Sequence, residues 1–116
     1  RLVRLVCEQC AEPVQPSLEV IRESGLQPKA VSDWKFRTGR GCAHCRGTGY
    51  KGRRAVGELL VLNDELREAI VARAPARRLK ELALAGGSKL IRTAALELVQ
   101  QGITTLLEAN RVTALA

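Results

Sequence analysis

The chain has 116 residues, of which 46% are hydrophobic and 27% are charged, and its formal net charge at pH 7 is +7. This length suits one compact domain or two very small ones, and the ordinary hydrophobic fraction argues against intrinsic disorder. No apolar run approaches the roughly 20 residues of a membrane-spanning helix, and the first residues are too few and too polar for a signal peptide, so secreted and membrane-embedded proteins are disfavoured.

The first half of the sequence predicts short strands, one helix and an irregular basic segment. Residues 2–6 are predicted as a strand. Ser17 can cap a short helix that ends at Gly25, because a glycine tolerates the positive φ of a helix terminus. Residues 35–40 are predicted as a second strand, and residues 56–62 as a further strand after a glycine-rich turn.

The second half shows the helical period and predicts four short helices. The last of these is expected to begin at Thr105, because Thr105 and Glu108 fit the reciprocal capping-box pattern. The first of the four is predicted to begin at Asn63 or Asp64 and to end before Pro75. The second is predicted to end at Gly86, and the third to begin near Ser88 and end at Gly102.

A change of composition near residue 54 divides the chain into two predicted subdomains. Only 20 of the first 54 residues are apolar, against 33 of the last 62. Residues 1–54 are therefore predicted to form a small tetracysteine subdomain with short strands and one helix. Residues 55–116 are predicted to form a strand and a small helical subdomain. The predicted fold class is α+β.

Four cysteines carry the strongest chemical signal, namely Cys7, Cys10, Cys42 and Cys45. They form two C-x2-C pairs separated by 31 residues. Each pair can place two thiolates about 2.3 Å from one ion, and two pairs complete a tetrahedron. The spacing predicts a closed structural Zn²⁺ site with no open position for catalysis. The metal would add folding free energy to a region that has few apolar residues.

Other interpretations of the cysteines fit less well. Two disulfides would suit an exported protein, but nothing in the sequence indicates export. A thioredoxin-like motif would require a βαβ context. Residues 42–49 also fit the C-x-x-C-x-G-x-G unit of J-domain co-chaperones, although those proteins use four copies. His44 lies between two predicted ligands and is interpreted as a solvent-facing residue.

Residues 35–54 contain seven lysines and arginines and no carboxylate. Such a segment can attract nucleic acid, anionic lipid or an acidic protein. Three aromatic residues in the whole chain are few for base stacking, which disfavours nucleic acid. A contact with a partner protein is predicted for Arg37, Arg40, Lys51 and Arg53. With one histidine and no recognisable acid pair, the sequence predicts no catalytic residue.

The block GCAHCRGTGYKGR, followed by GELL, resembles the ATPases of type II secretion and type IV pilus assembly. Their pattern is a second C-x-x-C pair, a TGY-x-GR turn and a strand that ends in E-L-L. The segment before Cys7, the helix that follows GELL and the C-terminal helix are similar as well. The E-L-L ending and the T-G-Y turn favour the type II secretion ATPase over the pilus ATPase.

The resemblance implies that the chain is the C-terminal part of a larger P-loop ATPase. That parent would be a cytoplasmic homo-hexamer, peripheral at the bacterial inner membrane, that assembles a pseudopilus for protein secretion. The four cysteines map onto the family's zinc-binding subdomain. ATP and Mg²⁺ would bind only with the upstream nucleotide machinery. Inner-membrane secretion proteins would be the partners. The alternatives are a stand-alone basic zinc ribbon that binds nucleic acid and a fragment of a type IV pilus assembly ATPase.

Overall fold

The computed structural model describes residues 1–113 and has the predicted α+β composition. Its four strands are β1 (Leu2–Val6), β2 (Ala11–Pro13), β3 (Arg37–Gly39) and β4 (Tyr50–Ala55). They form two antiparallel pairs, β1 with β4 and β2 with β3. One cysteine pair lies between β1 and β2, and the other lies between β3 and β4. The two strand pairs thereby bring both cysteine pairs to one end of the fold.

Five helices complete the described chain, and their caps follow the sequence signals. The helices are α1 (Leu18–Glu23), α2 (Asp64–Val71), α3 (Ala76–Ala85), α4 (Ile91–Gln100) and α5 (Leu106–Val112). The side chains of Ser17, Asn63 and Thr105 accept backbone N–H groups at the starts of α1, α2 and α5, as predicted. No helix within residues 1–113 is both long enough and apolar enough to cross a membrane.

The strand predicted over residues 56–62 is wrong. The strand in this region is β4, which ends at Ala55, where it reaches the start of β1. The Val56 N–H donates to the Arg1 carbonyl at 2.8 Å, and beyond that point β1 offers no further partner. Only an isolated bridge between Leu59 and Lys89 follows. Residues 59–62 are apolar but exposed, and they have no neighbouring strand in the described part of the chain.

Two further differences concern the termini of helices. The third helix of the second half begins at Ile91 rather than near Ser88, because the Ser88 hydroxyl accepts the Val61 N–H instead of capping the helix. At the last helix, Thr105 accepts the Glu108 N–H at 3.1 Å, but the Glu108 side chain does not return the bond. Its carboxylate instead bonds to arginines, so only half of the predicted capping box forms.

The hydrophobic core joins residues from both sides of position 54. It is formed by Val3, Ile21, Val31, Phe36, Val56, Ala95, Val99, Leu106, Ala109 and Val112. Helices α2 and α3 instead share a separate small cluster of Leu66, Leu82 and Ala83. The subdomain boundary at residue 54 stays a prediction. The last three residues of the second predicted subdomain, 114–116, lie outside the described residues. The packing associates α4 and α5 with the strands and sets α2 and α3 apart.

Candidate metal centre

Close contact between two backbones brings the two cysteine pairs together. Gly39 lies just before the second pair, and Gly49 lies just after it. A Cβ on Gly39 would lie 2.0 Å from the Gly49 carbonyl oxygen, and a Cβ on Gly49 would lie 2.4 Å from the Gly39 oxygen. Gly49 also has a φ of 81°, which favours glycine. Any side chain at these two positions would force the strand ends apart.

The four sulfur atoms have the spacing of a tetrahedral metal site. The Sγ–Sγ distances are 3.8 Å for Cys7 and Cys42, 3.9 Å for Cys10 and Cys45, and 3.7 Å for Cys42 and Cys45. All four sulfurs lie within 4.8 Å of one another. A tetrahedron with Zn–S bonds of about 2.3 Å has edges of about 3.8 Å. An S–S bond of about 2.05 Å is much shorter, so the disulfide alternative does not fit this geometry.

Backbone N–H groups point at two of the sulfurs. The Sγ atom of Cys45 accepts from the N–H groups of Cys42 and Gly49, each at 3.2 Å. Burial raises the pKa of Cys45, but these hydrogen bonds outweigh it and hold the pKa at about 6. Burial raises the pKa of Cys10 to about 11, against one N–H donor, Gly41. The donated hydrogen bonds favour the thiolate form that a metal requires.

The structure brings all four predicted ligands together and excludes the neighbouring histidine. Cys7, Cys10 and Cys45 are buried, and Cys42 is half-buried. His44 is exposed, as predicted, and does not belong to the cluster. Four thiols suit Zn²⁺, which binds thiolates in closed tetrahedral sites, and they leave no open position. The cysteines can therefore hold one metal ion in a structural role.

The four basic residues predicted to contact a partner fall into two groups. Arg37 is half-buried, and its guanidinium donates to the Glu8 carboxylate at 2.6 Å. Its stem packs against the backbone of Gly102. Arg40, Lys51 and Arg53 are exposed and form no ion pair within residues 1–113. Of the four predicted contact residues, these three have no carboxylate partner in the described part of the chain.

An ionic cluster around a buried carboxylate, which the sequence did not predict, lies between β1 and α5. Glu108 is completely buried and accepts hydrogen bonds from the Arg4 guanidinium at 3.0 Å and from the Arg111 Nε at 3.1 Å. The Arg4 guanidinium also lies 4.1 Å from the centre of the Tyr50 ring. The Tyr50 hydroxyl shares a 2.7 Å hydrogen bond with Thr105. The capping-box pattern located Glu108, but no local signal identifies a partner that lies 104 residues away.

Comparison with known proteins finds relatives named for type II secretion and for type IV pilus assembly. Residues 1–111 match the family described as type II/IV secretion system protein. The chain is 48% identical over 108 residues to the type IV pilus assembly ATPase PilB of Thermus thermophilus. This alignment covers 93% of the chain and 12% of that protein. It is 34% identical over 113 residues to the type II secretion system ATPase E of Vibrio cholerae, in an alignment that covers 97% of the chain and 22% of that protein.

A third relative is the type II secretion system protein E of Pectobacterium carotovorum, at 36% identity over 117 residues, with coverage of 97% and 22%. The chain thus spans less than a quarter of the length of these curated relatives. Relatives with both kinds of name match, so the comparison does not separate type II secretion from pilus assembly.

Proposed function

The chain belongs to the type II/IV secretion system protein family, and on that basis we propose that it is the metal-stabilised C-terminal accessory region of a secretion ATPase. The parent protein hydrolyses ATP with Mg²⁺ upstream of this region and uses the energy to assemble a pseudopilus. It acts as a cytoplasmic hexamer, peripheral at the bacterial inner membrane. This chain supplies no catalytic residue.

The observation that carries the structural role is the tetrahedral set of four thiols. Zn²⁺ held by Cys7, Cys10, Cys42 and Cys45 joins the segment between β1 and β2 to the segment between β3 and β4. When bound, the ion supplies folding free energy and no chemistry, because all four positions belong to the protein. The family match over residues 1–111 favours this role over a stand-alone nucleic-acid-binding zinc ribbon.

We expect the purified protein to contain one zinc ion per chain, which modification of the cysteines releases. The reason is that four cysteine sulfurs within 4.8 Å of one another match the ligand set of a closed tetrahedral zinc site. Elemental analysis before and after thiol blocking measures this stoichiometry. A protein that carries four freely titratable thiols and no metal would refute the structural role.

The exposed basic residues offer a contact for an inner-membrane secretion protein. Arg40, Lys51 and Arg53 lie in the carboxylate-free segment and have no ion-pair partner in the described part of the chain. Arg37 is left out of the proposed contact, because its guanidinium already pairs with the Glu8 carboxylate. An acidic surface on the partner would complement the three remaining charges.

Reversal of these three charges in the parent ATPase is expected to weaken its recovery with inner-membrane secretion proteins on the order of tenfold. The variant is Arg40→Glu, Lys51→Glu and Arg53→Glu. The control is Arg22→Glu, Lys29→Glu and Lys80→Glu, which makes the same change of charge at exposed positions elsewhere. Co-purification and secretion assays compare the two. Equal binding and secretion by both variants would eliminate the proposed contact.

A further inference from the structure

The second edge of β1 is closed by the segment that leads into α5, not by another strand. The Val6 N–H donates to the Ile103 carbonyl at 2.9 Å. The Thr104 hydroxyl donates to the Arg4 carbonyl at 2.6 Å, and the Arg4 N–H donates to the Glu108 carboxylate at 3.0 Å. Three backbone groups of β1 therefore depend on residues 103–108 for their hydrogen bonds, and an unpaired buried backbone group is costly.

The same strand leads directly into the cysteine cluster. Cys7 follows Val6, and its N–H donates to the Gly49 carbonyl at 2.9 Å. The Gly49 N–H in turn donates to the Sγ atom of Cys45 at 3.2 Å. A shift of β1 therefore displaces one sulfur directly and disturbs the hydrogen bond that supports another. The cysteine cluster and the C-terminal segment are held by opposite edges of one short strand.

The ion pairs of the buried Glu108 carboxylate provide a second connection between the two regions. Arg4 projects from β1, and Glu108 and Arg111 belong to α5. Tyr50 follows Gly49 at the start of β4, and it contacts the Arg4 guanidinium with its ring and Thr105 with its hydroxyl. Glu108 is completely buried, so loss of its charge would leave arginine guanidinium groups without their carboxylate.

We propose that the docking of α5 through Glu108 sets the affinity of the cysteine cluster for its metal. Glu108 is a positioning residue, which acts on the cluster through β1 and does not ligate the ion. The inference rests on the structural metal of the proposed function. Because thermodynamic coupling is reciprocal, metal binding stabilises the docked helix by the same factor by which docking raises metal affinity.

The test compares the Zn²⁺ dissociation constants of three variants by competition with a chromophoric chelator at pH 7. Glu108→Gln keeps the shape of the side chain and is expected to weaken zinc binding on the order of tenfold. Tyr50→Phe removes only the hydroxyl that reaches Thr105 and is expected to weaken it a few-fold. Glu97→Gln is the control, because Glu97 lies on α4 and forms an exposed ion pair with Lys89, which precedes that helix. Zinc affinities of all three variants equal to that of the wild type would overturn the proposal.

Hydrogen exchange in the unaltered protein provides a test that does not depend on any variant folding. Removal of zinc is expected to accelerate amide exchange in α5 as well as in residues 1–10, and to leave α2 and α3 unchanged. If the protein binds zinc but its removal leaves α5 unaffected, the coupling fails and the structural metal stands. If the protein binds no zinc, the structural metal fails, and the inference fails with it.

Discussion

Cys42→Ser is expected to unfold the strand region of the protein at 25 °C and pH 7. A serine hydroxyl remains protonated at this pH and is a poor ligand for a metal that prefers thiolate, so the site loses one of its four donors. Structural zinc contributes about 10–16 kcal/mol of apparent binding free energy in zinc-finger peptides. Even a fraction of that is comparable with the roughly 5–15 kcal/mol that stabilises a whole domain.

The shared core determines how far this unfolding extends. Sequence composition predicts that residues 1–54 loosen while the helical half stays formed. In the structure, Val3 and Phe36 pack with Ala95 and Leu106, so α4 and α5 lose their support when the strands separate. Only α2 and α3, with their own cluster around Leu66, are expected to remain helical.

Amide hydrogen exchange measures both parts of this prediction. In Cys42→Ser, exchange is expected to accelerate throughout the strands and in α4 and α5, and to change little in α2 and α3. His44→Ser is the matched control, because His44 lies in the same turn, is exposed and is no member of the thiol cluster. Unaltered exchange across residues 1–54 in Cys42→Ser would contradict the structural role of the metal.

Local signals in the sequence located the helices, and long-range pairing decided the strands. Ser17 and Thr105 cap helices as predicted, because a cap depends on residues three positions away. The strand predicted over residues 56–62 depends on a partner that the described chain does not provide. β2 was missed altogether, because it has only three residues, one of them Pro13, and forms only by pairing with β3.

The same distinction separates the two parts of the site. The four cysteines were predicted as ligands from their spacing, since each C-x2-C pair is a local unit that can supply two ligands to one metal ion. Glu108 appeared in the sequence only as part of a capping box. Its carboxylate bonds instead to Arg4, which no local pattern reveals, and this distant contact connects the C-terminal helix to the strand that leads into the cysteine cluster.

Acidification is expected to remove the stabilisation that Glu108 provides. Burial raises the pKa of this carboxyl, but hydrogen bonds from Arg111 and Arg4 outweigh it and lower the pKa to about 2, from 4.5. A carboxyl whose pKa is lower in the folded state stabilises the fold above its unfolded pKa. That stabilisation is lost as the pH falls from about 4.5 towards 2. At neutral pH a shift of this size corresponds to about 3 kcal/mol.

Urea unfolding of the wild type and of Glu108→Gln between pH 7 and pH 3 isolates this contribution. The variant is expected to be less stable by about 3 kcal/mol at pH 7. The difference is expected to fall to about half near pH 3, because the Glu108 carboxyl is protonated there in the unfolded chain and still mostly ionised in the folded one. Protonation of the cysteine thiolates also lowers stability in acid, and the exposed Glu97→Gln control shows how much of the change with pH does not depend on Glu108. The exposed Glu97→Gln control is expected to differ from wild type by less than about 1 kcal/mol throughout. A difference for Glu108→Gln that does not change with pH would mean that Glu108 stabilises the fold by packing and not by charge.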